Sequence, residues 1–275
     1  MLWHARLGHP HVKTLQNVMN KLHVNGSPSN KIPFCEACQF GKMQQISFPI
    51  SDLKTKAPLE LIYSDLWGPA PVVSSEGYKY YIVFVDDFSR YMWIYPLKLK
   101  EESYAIFTQF HCFVEKELNA KVKCLQTDWG GEFRPFSSYL QQHGIAFRHP
   151  CPYLHQQNGR VERKHRAITE FGLALLAHAG MPLCFWWQAF STAAYLLNRL
   201  PSASIGYSSP FQKLFDQEPR YNELRVFGCS CYPYIRPYQK HKLSYHTEKC
   251  VFLGYSLAHK GYKCLSSSGR IEYIF

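Results

Sequence analysis

The stretch YYIVFVDDFSRYMWIYPL, residues 80–97, constrains the fold more than any other part of the chain. Two runs of β-branched and aromatic residues flank a polar interruption at Asp87 to Arg90, the pattern of a strand, a turn and a strand. LELIYSDLWGP, just before it, reads as a further strand. Behind it, EESYAIFTQFHCFVEKEL spaces Tyr104, Phe107, Phe110, Val114 and Leu118 by threes and fours, which predicts one buried helix face. AKVKCLQTD returns to strand, FSSYLQQHG is a short helix stopped at Gly144, and IAFRHPC is another strand. From Gly159 to about Asn198 the pattern is helical. Its most apolar part, residues 171–198, is interrupted by His178, Pro182, Gln188 and Asn198, so it predicts buried helices, with Trp186 and Trp187 in the core, and no membrane span. Three strands, helix, strand, helix, strand and then helices predict a mixed α/β fold around a central sheet.

Two segments of different texture flank this body. Residues 1–50 are polar and rich in His, Cys, Asn and Pro, with too few apolar side chains to fold by burial alone. Residues 221–275 hold aromatic pieces, RVFGCSCYPYIRP and EKCVFLGYS, broken at short intervals by Gly, Pro and Ser, which predicts a small β-barrel. Charge follows the same division. The formal net charge of +11 splits into +5 for residues 1–56, zero for 57–219 and +6 for 220–275. A neutral body that concentrates carboxylates between two basic ends suits a catalytic domain flanked by parts that hold a polyanion. Ten cysteines with no leader sequence before the first motif point to a reducing compartment, where thiols serve as metal ligands or core residues.

The front segment needs a staple, and its residues supply one. LWHARLGHP provides His4 and His9, and FCEACQF provides Cys35 and Cys38. Two thiolates and two imidazoles suit tetrahedral zinc, and four protein ligands imply a structural ion. Such binding contributes about 10–16 kcal/mol to the folding of a small module. His11 and His23 are alternative donors. The remaining cysteines, including Cys229 and Cys231, are expected to pack in strands.

In the body, Asp65 in IYSDLWGP and Asp128 in LQTDWGGEF stand at the ends of predicted strands, and Glu162 opens a predicted helix. Strand ends and a helix start can meet at one sheet edge. Carboxylates crowded there would repel by about 3 kcal/mol per pair at roughly 5 Å and an effective dielectric of about 20. Hard divalent ions relieve that repulsion, and two of them about 3.5–4 Å apart support in-line phosphoryl transfer. This explains why NGRVERKHR carries an acid among its bases: Glu162 is expected to hold metal while its neighbours hold phosphate. On a helix, His165 and Arg166 lie within about 60° of Glu162, whereas Lys164 points nearly the opposite way. Asp86, Asp87 and Ser89 are expected to shape the hairpin turn, and Gly130, Gly131 and Glu132 a loop.

Taken in order, LWHARLGHP with CEAC, then YSDLWGP, VDDFSRYMWIYPL, QTDWGGEF and QQNGRVERKHR, then LRVFGCSCYP and KCVFLGYS, resemble the integrase of copia-type LTR retrotransposons along practically the entire chain. The resemblance implies an N-terminal helical zinc module (residues 1–50), an RNase H-like core (57–220) and an SH3-like β-domain (221–275), possessed by the family as one piece of a longer polyprotein. It implies a catalytic triad of Asp65, Asp128 and Glu162 with Mg²⁺ or Mn²⁺, one structural zinc on His4, His9, Cys35 and Cys38, and DNA contacts from Asn158, Arg163, Lys164, His165 and Arg166. The implied reaction is trimming of element DNA ends and their transfer into target DNA. Multimeric assembly, action in the nucleus and a cytoplasmic particle stage are implied with it. The sequence departs from the family at Trp129, His155 and Arg160, none of them an expected ligand. The competing expectation is a catalytically silent, DNA-binding remnant.

Overall fold

The computed structural model of the chain describes residues 2–23, 34–42, 55–149, 159–234, 245–256 and 261–274. These fall into two compact units, Met1–Asp52 and Leu53–Phe275.

The first unit consists of three short helices, α1 (Leu2–Arg6), α2 (Val12–Lys21) and α3 (Glu36–Lys42). Among its described residues only Leu15, Met19 and His4 are buried, so burial alone gives it almost no core. His11, an alternative metal donor by sequence, caps α2 instead, its Nδ1 accepting from the Lys13 N–H. His23 follows the same helix on the exposed side.

The second unit is built on a five-stranded mixed sheet. Its strands are β1 (Ile62–Trp67), β2 (Tyr80–Asp86), β3 (Met92–Leu97), β4 (Cys124–Gln126) and β5 (Ala146–Arg148), in the order β3-β2-β1-β4-β5. The first three are antiparallel neighbours, and β4 and β5 run parallel to β1. Successive side chains of β2 alternate between two cores, as a doubly covered strand requires. Tyr81, Val83 and Val85 pack with α6 (Gly159–Ala179) and α7 (Trp186–Leu197) through Val161, Ile168, Trp186 and Phe190. Ile82 and Phe84 pack with α4 (Ser103–Leu118) and α5 (Phe136–Gln142) through Phe107, Phe110, Phe136 and Leu140. The expected apolar face of α4 is buried at Phe107, Phe110 and Val114. Tyr104, at the start of the helix, is instead exposed, and His111 takes a buried place on the same helix.

After the short helix α8 (Pro210–Phe215), a four-stranded antiparallel sheet forms from β6 (Ser230–Cys231), β7 (Cys250–Tyr255), β8 (Tyr262–Leu265) and β9 (Ile271–Ile274). It lies against α7: Leu253 and Phe227 join the Trp186 core, Tyr195 stacks on Tyr255 at 3.9 Å, and the Thr192 hydroxyl donates to the Leu253 carbonyl. The residue-220 boundary expected from texture therefore falls inside the second compact unit.

Candidate active site and zinc cluster

Parallel pairing of β1 with β4 sets the position of the first two acids. Tyr63 is the register partner of Gln126, so Asp65 and Asp128, each two residues further on, emerge at the same level of neighbouring strands. Parallel neighbours are about 4.8 Å apart, and the two carboxyls feel one another. Although Asp128 reaches solvent on its outer side, protein crowded around its carboxyl raises its pKa, with Asp65 and Glu132 adding to the rise against a hydrogen bond from the Gly130 N–H. The sequence assigned Glu132 only a loop role. It sits in a 3₁₀ turn, Gly131–Phe133, as further negative charge beside Asp128, with Lys100 3.9 Å from its carboxylate.

Alternation along β1 turns Asp65 toward the α6 face, together with Tyr63 and Trp67. There His165 meets it, Nε2 lying 3.4 Å from Asp65 Oδ2 and Nδ1 2.9 Å from the Tyr81 hydroxyl. His165 thus belongs to the buried stripe Val161, His165, Ile168, Gly172 and Leu176 and is only 8% exposed. Glu162 is one helical turn before it, about 60° around the helix, with its side chain in solvent. The structure brings Asp65 and Asp128 together. It does not close the three into a single cluster: among the described residues, His4, His9, Cys35 and Cys38 are the one group of three or more such side chains already gathered tightly enough to share an ion without rearrangement.

Of the bases expected to face DNA, Arg163 and Arg166 are exposed on α6. Lys164 is largely withdrawn from water beside Arg90, and burial, then that neighbouring guanidinium, brings its pKa down to about 8. Asn158 lies outside the described residues. Arg160, a departure from the family pattern, pairs with Asp87 and lies over the Tyr63 ring. Asp87 also binds Arg90, while Asp86 is buried and accepts from the Ser89 hydroxyl and N–H and from the Leu59 N–H, so both acids serve the β2–β3 turn.

In the first unit the four expected zinc donors all lie within 4.8 Å of one another. His4 Nε2 is 3.2 Å from Cys38 Sγ, and His9 Nδ1 is 3.3 and 3.7 Å from Cys35 and Cys38 Sγ. Tetrahedral zinc with ordinary bond lengths would hold N and S about 3.6 Å apart, so the donor set fits that ion. Burial and the neighbouring His9 both lower the His4 pKa, favouring the neutral imidazole a metal requires. Burial, then the neighbouring Cys35, raises that of Cys38 against the pull of Lys42.

A five-stranded mixed sheet with two acids at one edge, preceded in the sequence by a His₂Cys₂ module, is the architecture of an integrase. Three family models match in succession: the GAG-pre-integrase domain over residues 1–43, the integrase core domain over 55–155 and the retroviral polymerase SH3-like domain over 229–273. Asp65 and Asp128 fall within the matched core, and Glu162 falls beyond it. The chain is 45% identical over 271 residues, 98% of its length, to the retrovirus-related Pol polyprotein from transposon RE2 of Arabidopsis thaliana, and covers 18% of that protein. It is 37% identical over 264 residues, 95% of its length, to the corresponding polyprotein from transposon TNT 1-94 of Nicotiana tabacum, and covers 20% of it. It thus spans about a fifth of the curated relatives it matches. In fold it is similar to a chain of the simian T-cell lymphotropic virus intasome determined in complex with the PP2A regulatory subunit B56 gamma. That likeness has a TM-score of 0.58 at 15% identity and covers 99% of this chain and 97% of that one. The chain belongs to the integrases of copia-type retrotransposon Pol polyproteins.

Proposed function

We propose that the chain catalyses divalent-metal-dependent trimming of element DNA ends and their transfer into target DNA, with Asp65, Asp128 and Glu162 as the metal-holding acids. The observation that carries this reading is the meeting of Asp65 and Asp128 at the ends of adjacent parallel strands, with mutual repulsion that a cation would relieve. Their oxygen donors fit Mg²⁺ or Mn²⁺, which would supply activation of the attacking oxygen and charge stabilisation at the phosphorus. The protein's own part is to hold Asp65 and Asp128 in register and to keep Asp65 oriented through His165. Glu162 completes the set from the first turn of α6. Arg163 and Arg166 are the exposed bases offered to a polyanion; Asn158, Lys164 and His165 lie in the same stretch of sequence, with Lys164 and His165 withdrawn from water. Structural zinc on His4, His9, Cys35 and Cys38 fixes the first unit, and the active form is a multimer that holds two DNA ends. Its place of action is the nucleus, after a cytoplasmic particle stage.

One feature favours a second reading, the silent DNA-binding remnant: Asp65 is engaged by His165, and Glu162 is not gathered with the Asp pair. Incubation of the zinc-loaded protein with labelled element-end DNA and Mn²⁺ separates the two. Joined products that disappear in Asp128→Asn support the enzyme. Salt-sensitive DNA binding without products, equal in wild type and Asp65→Asn, supports the remnant.

A further inference from the structure

The helix layer opposite α6 carries a second constellation of metal-donor side chains. His111 and Glu115 are four residues apart on α4 and so share one face of the helix. His143 caps the C-terminus of α5 and meets His111 edge to face, with ring centroids 5.3 Å apart at 85°. The three line a cleft of about 250 Å³, together with Lys121, Val122, Lys123 and Gly144.

What distinguishes this trio from a chance grouping is the state of the far ring nitrogens. His143 Nδ1 is 2.9 Å from the Tyr139 carbonyl oxygen, and His111 Nδ1 is 2.9 Å from the Tyr139 hydroxyl. One residue therefore orients both rings. The carbonyl can only accept, so His143 Nδ1 donates to it and leaves Nε2 as a lone-pair donor; His111 Nε2–H donates to Glu115 without an ion, and the Tyr139 hydroxyl can accept the proton at Nδ1 when an ion takes its place at Nε2. Metal-bound histidines are ordinarily held this way, the outer nitrogen fixed by a carbonyl or other oxygen. His111 Nε2 already points to the carboxylate, 3.2 Å from Glu115 Oε1. Two imidazoles bound through nitrogen to one tetrahedral ion have ring centroids roughly 5.2 Å apart, by the ordinary Zn–N length, close to the spacing seen here.

We propose that His111, Glu115 and His143 form a second binding site for a borderline divalent cation such as zinc, separate from the His₂Cys₂ cluster and from the Asp65 edge. Two histidines, one carboxylate and a water give a four-coordinate shell. The Glu115 carboxylate accepts from the Lys121 ammonium and from the Val122 N–H. At present the Lys121 ammonium, 2.6 Å from Glu115 Oε2, is the cation that balances this acid. The three donors do not yet stand close enough to share an ion; the Lys121 side chain is 84% exposed and His143 is exposed as well, so withdrawal of the lysine leaves room for Glu115 and the His143 end of α5 to close round one. Bound there, the ion ties the middle of α4 to the end of α5.

Zinc titration of the full chain against a chromophoric chelator, at micromolar free zinc, tests this. Wild type is expected to bind one more equivalent than His143→Ala or Glu115→Gln, with the far-ultraviolet circular dichroism of His143→Ala unchanged. Cys35→Ser removes a different equivalent, and the two losses add. Ions on Asp65 and Asp128 cancel in the comparison, because those residues are intact throughout. Lys121→Ala, which removes the competing ammonium, should tighten the second site several-fold. Cobalt(II) in that site should give ligand-field absorption without the thiolate charge-transfer bands of the first. Equal stoichiometry in wild type, His143→Ala and Glu115→Gln overturns the proposal, as does weaker binding in Lys121→Ala.

Discussion

Replacing Lys164 by methionine should make the protein more stable, although the residue lies in the most basic stretch of the chain. The ammonium is largely removed from water, has Arg90 as its charged neighbour, and forms no ion pair among the described residues. A fall from the ordinary 10.5 to about 8 corresponds to about 3 kcal/mol against the charged form. Residual solvent contact reduces that, so a gain of about 2 kcal/mol is expected for Lys164→Met at pH 7. The sign follows from the lowered pKa. Below about 8 the folded protein must hold a proton it disfavours; as pH rises from about 8 toward 10.5, only the unfolded chain retains it, and the penalty fades. The assay is urea unfolding of zinc-loaded wild type and variant, followed by circular dichroism across pH 6.5 to 10 (about the range that brackets the titration). The stability gap should be widest at the acid end and shrink on the alkaline side. A destabilised variant, or a gap that does not change with pH, would refute the reasoning. In the proposed DNA complex a phosphate would be the missing counter-charge, so binding near pH 8 (about the Lys164 value) should take up a fraction of a proton that Lys164→Met does not.

Asp128→Asn should raise stability in magnesium-free buffer by about 0.5–2 kcal/mol while it abolishes joining. The Asp128 pKa is raised, so its native carboxyl is favoured when protonated, and wild type loses that advantage as pH climbs through the raised value. The gain should therefore be larger in urea melts at pH 7 than near pH 4 (about the ordinary carboxylate range). Cys38→Ser, or zinc chelation, should abolish the helical signal of α1 to α3 and open residues 1–52 to protease while the second unit still unfolds cooperatively. Gly254→Ala should destabilise the second unit by about 2–4 kcal/mol in thermal melts, since a methyl there meets Thr192 Oγ1 at 2.0 Å on a backbone with φ of +116°.

Elements whose pattern is local were legible in the sequence. The hairpin at residues 80–97 declares itself because both faces of β2 are covered and its turn residues, Asp86 to Ser89, hydrogen-bond to one another. The parallel strands were readable as strands, but their register was not. Nothing local says that Tyr63 faces Gln126, and that pairing is what brings Asp65 to Asp128. His165 carried a signal that its polarity concealed: it falls on the helical step from Val161 to Ile168 and so belongs to the inward stripe. Lys164 was expected on the helix opposite Glu162, but its lowered pKa comes from tertiary burial that no local pattern shows, with Arg90 at the turn of a distant hairpin adding to it. Likewise the His111 to His143 contact joins two helices through Tyr139, and periodicity within α4 marks His111 only as a polar interruption near a buried face.

The fold divides the proposed metal ligands between supports of different stiffness. Asp65 stands on β1 and Asp128 two residues past the end of β4, which backbone hydrogen bonds hold beside β1, so the two acids come near enough for Asp65 to add to the rise in the Asp128 pKa. Glu162 comes from the first turn of α6, which side chains hold to the sheet: His165 to Asp65 and Tyr81, and Arg160 to Asp87. Side-chain ties can lengthen or exchange where a strand ladder cannot. In the proposed site Asp65 is set by the strand ladder while Glu162 keeps the freedom to approach, and the His165 ring lies against Asp65. The same logic explains how Arg160 can stand where the family usually has a small apolar residue. The acidic turn residue Asp87 balances its charge, and the guanidinium lies flat on Tyr63, so α6 keeps its seat beside β1.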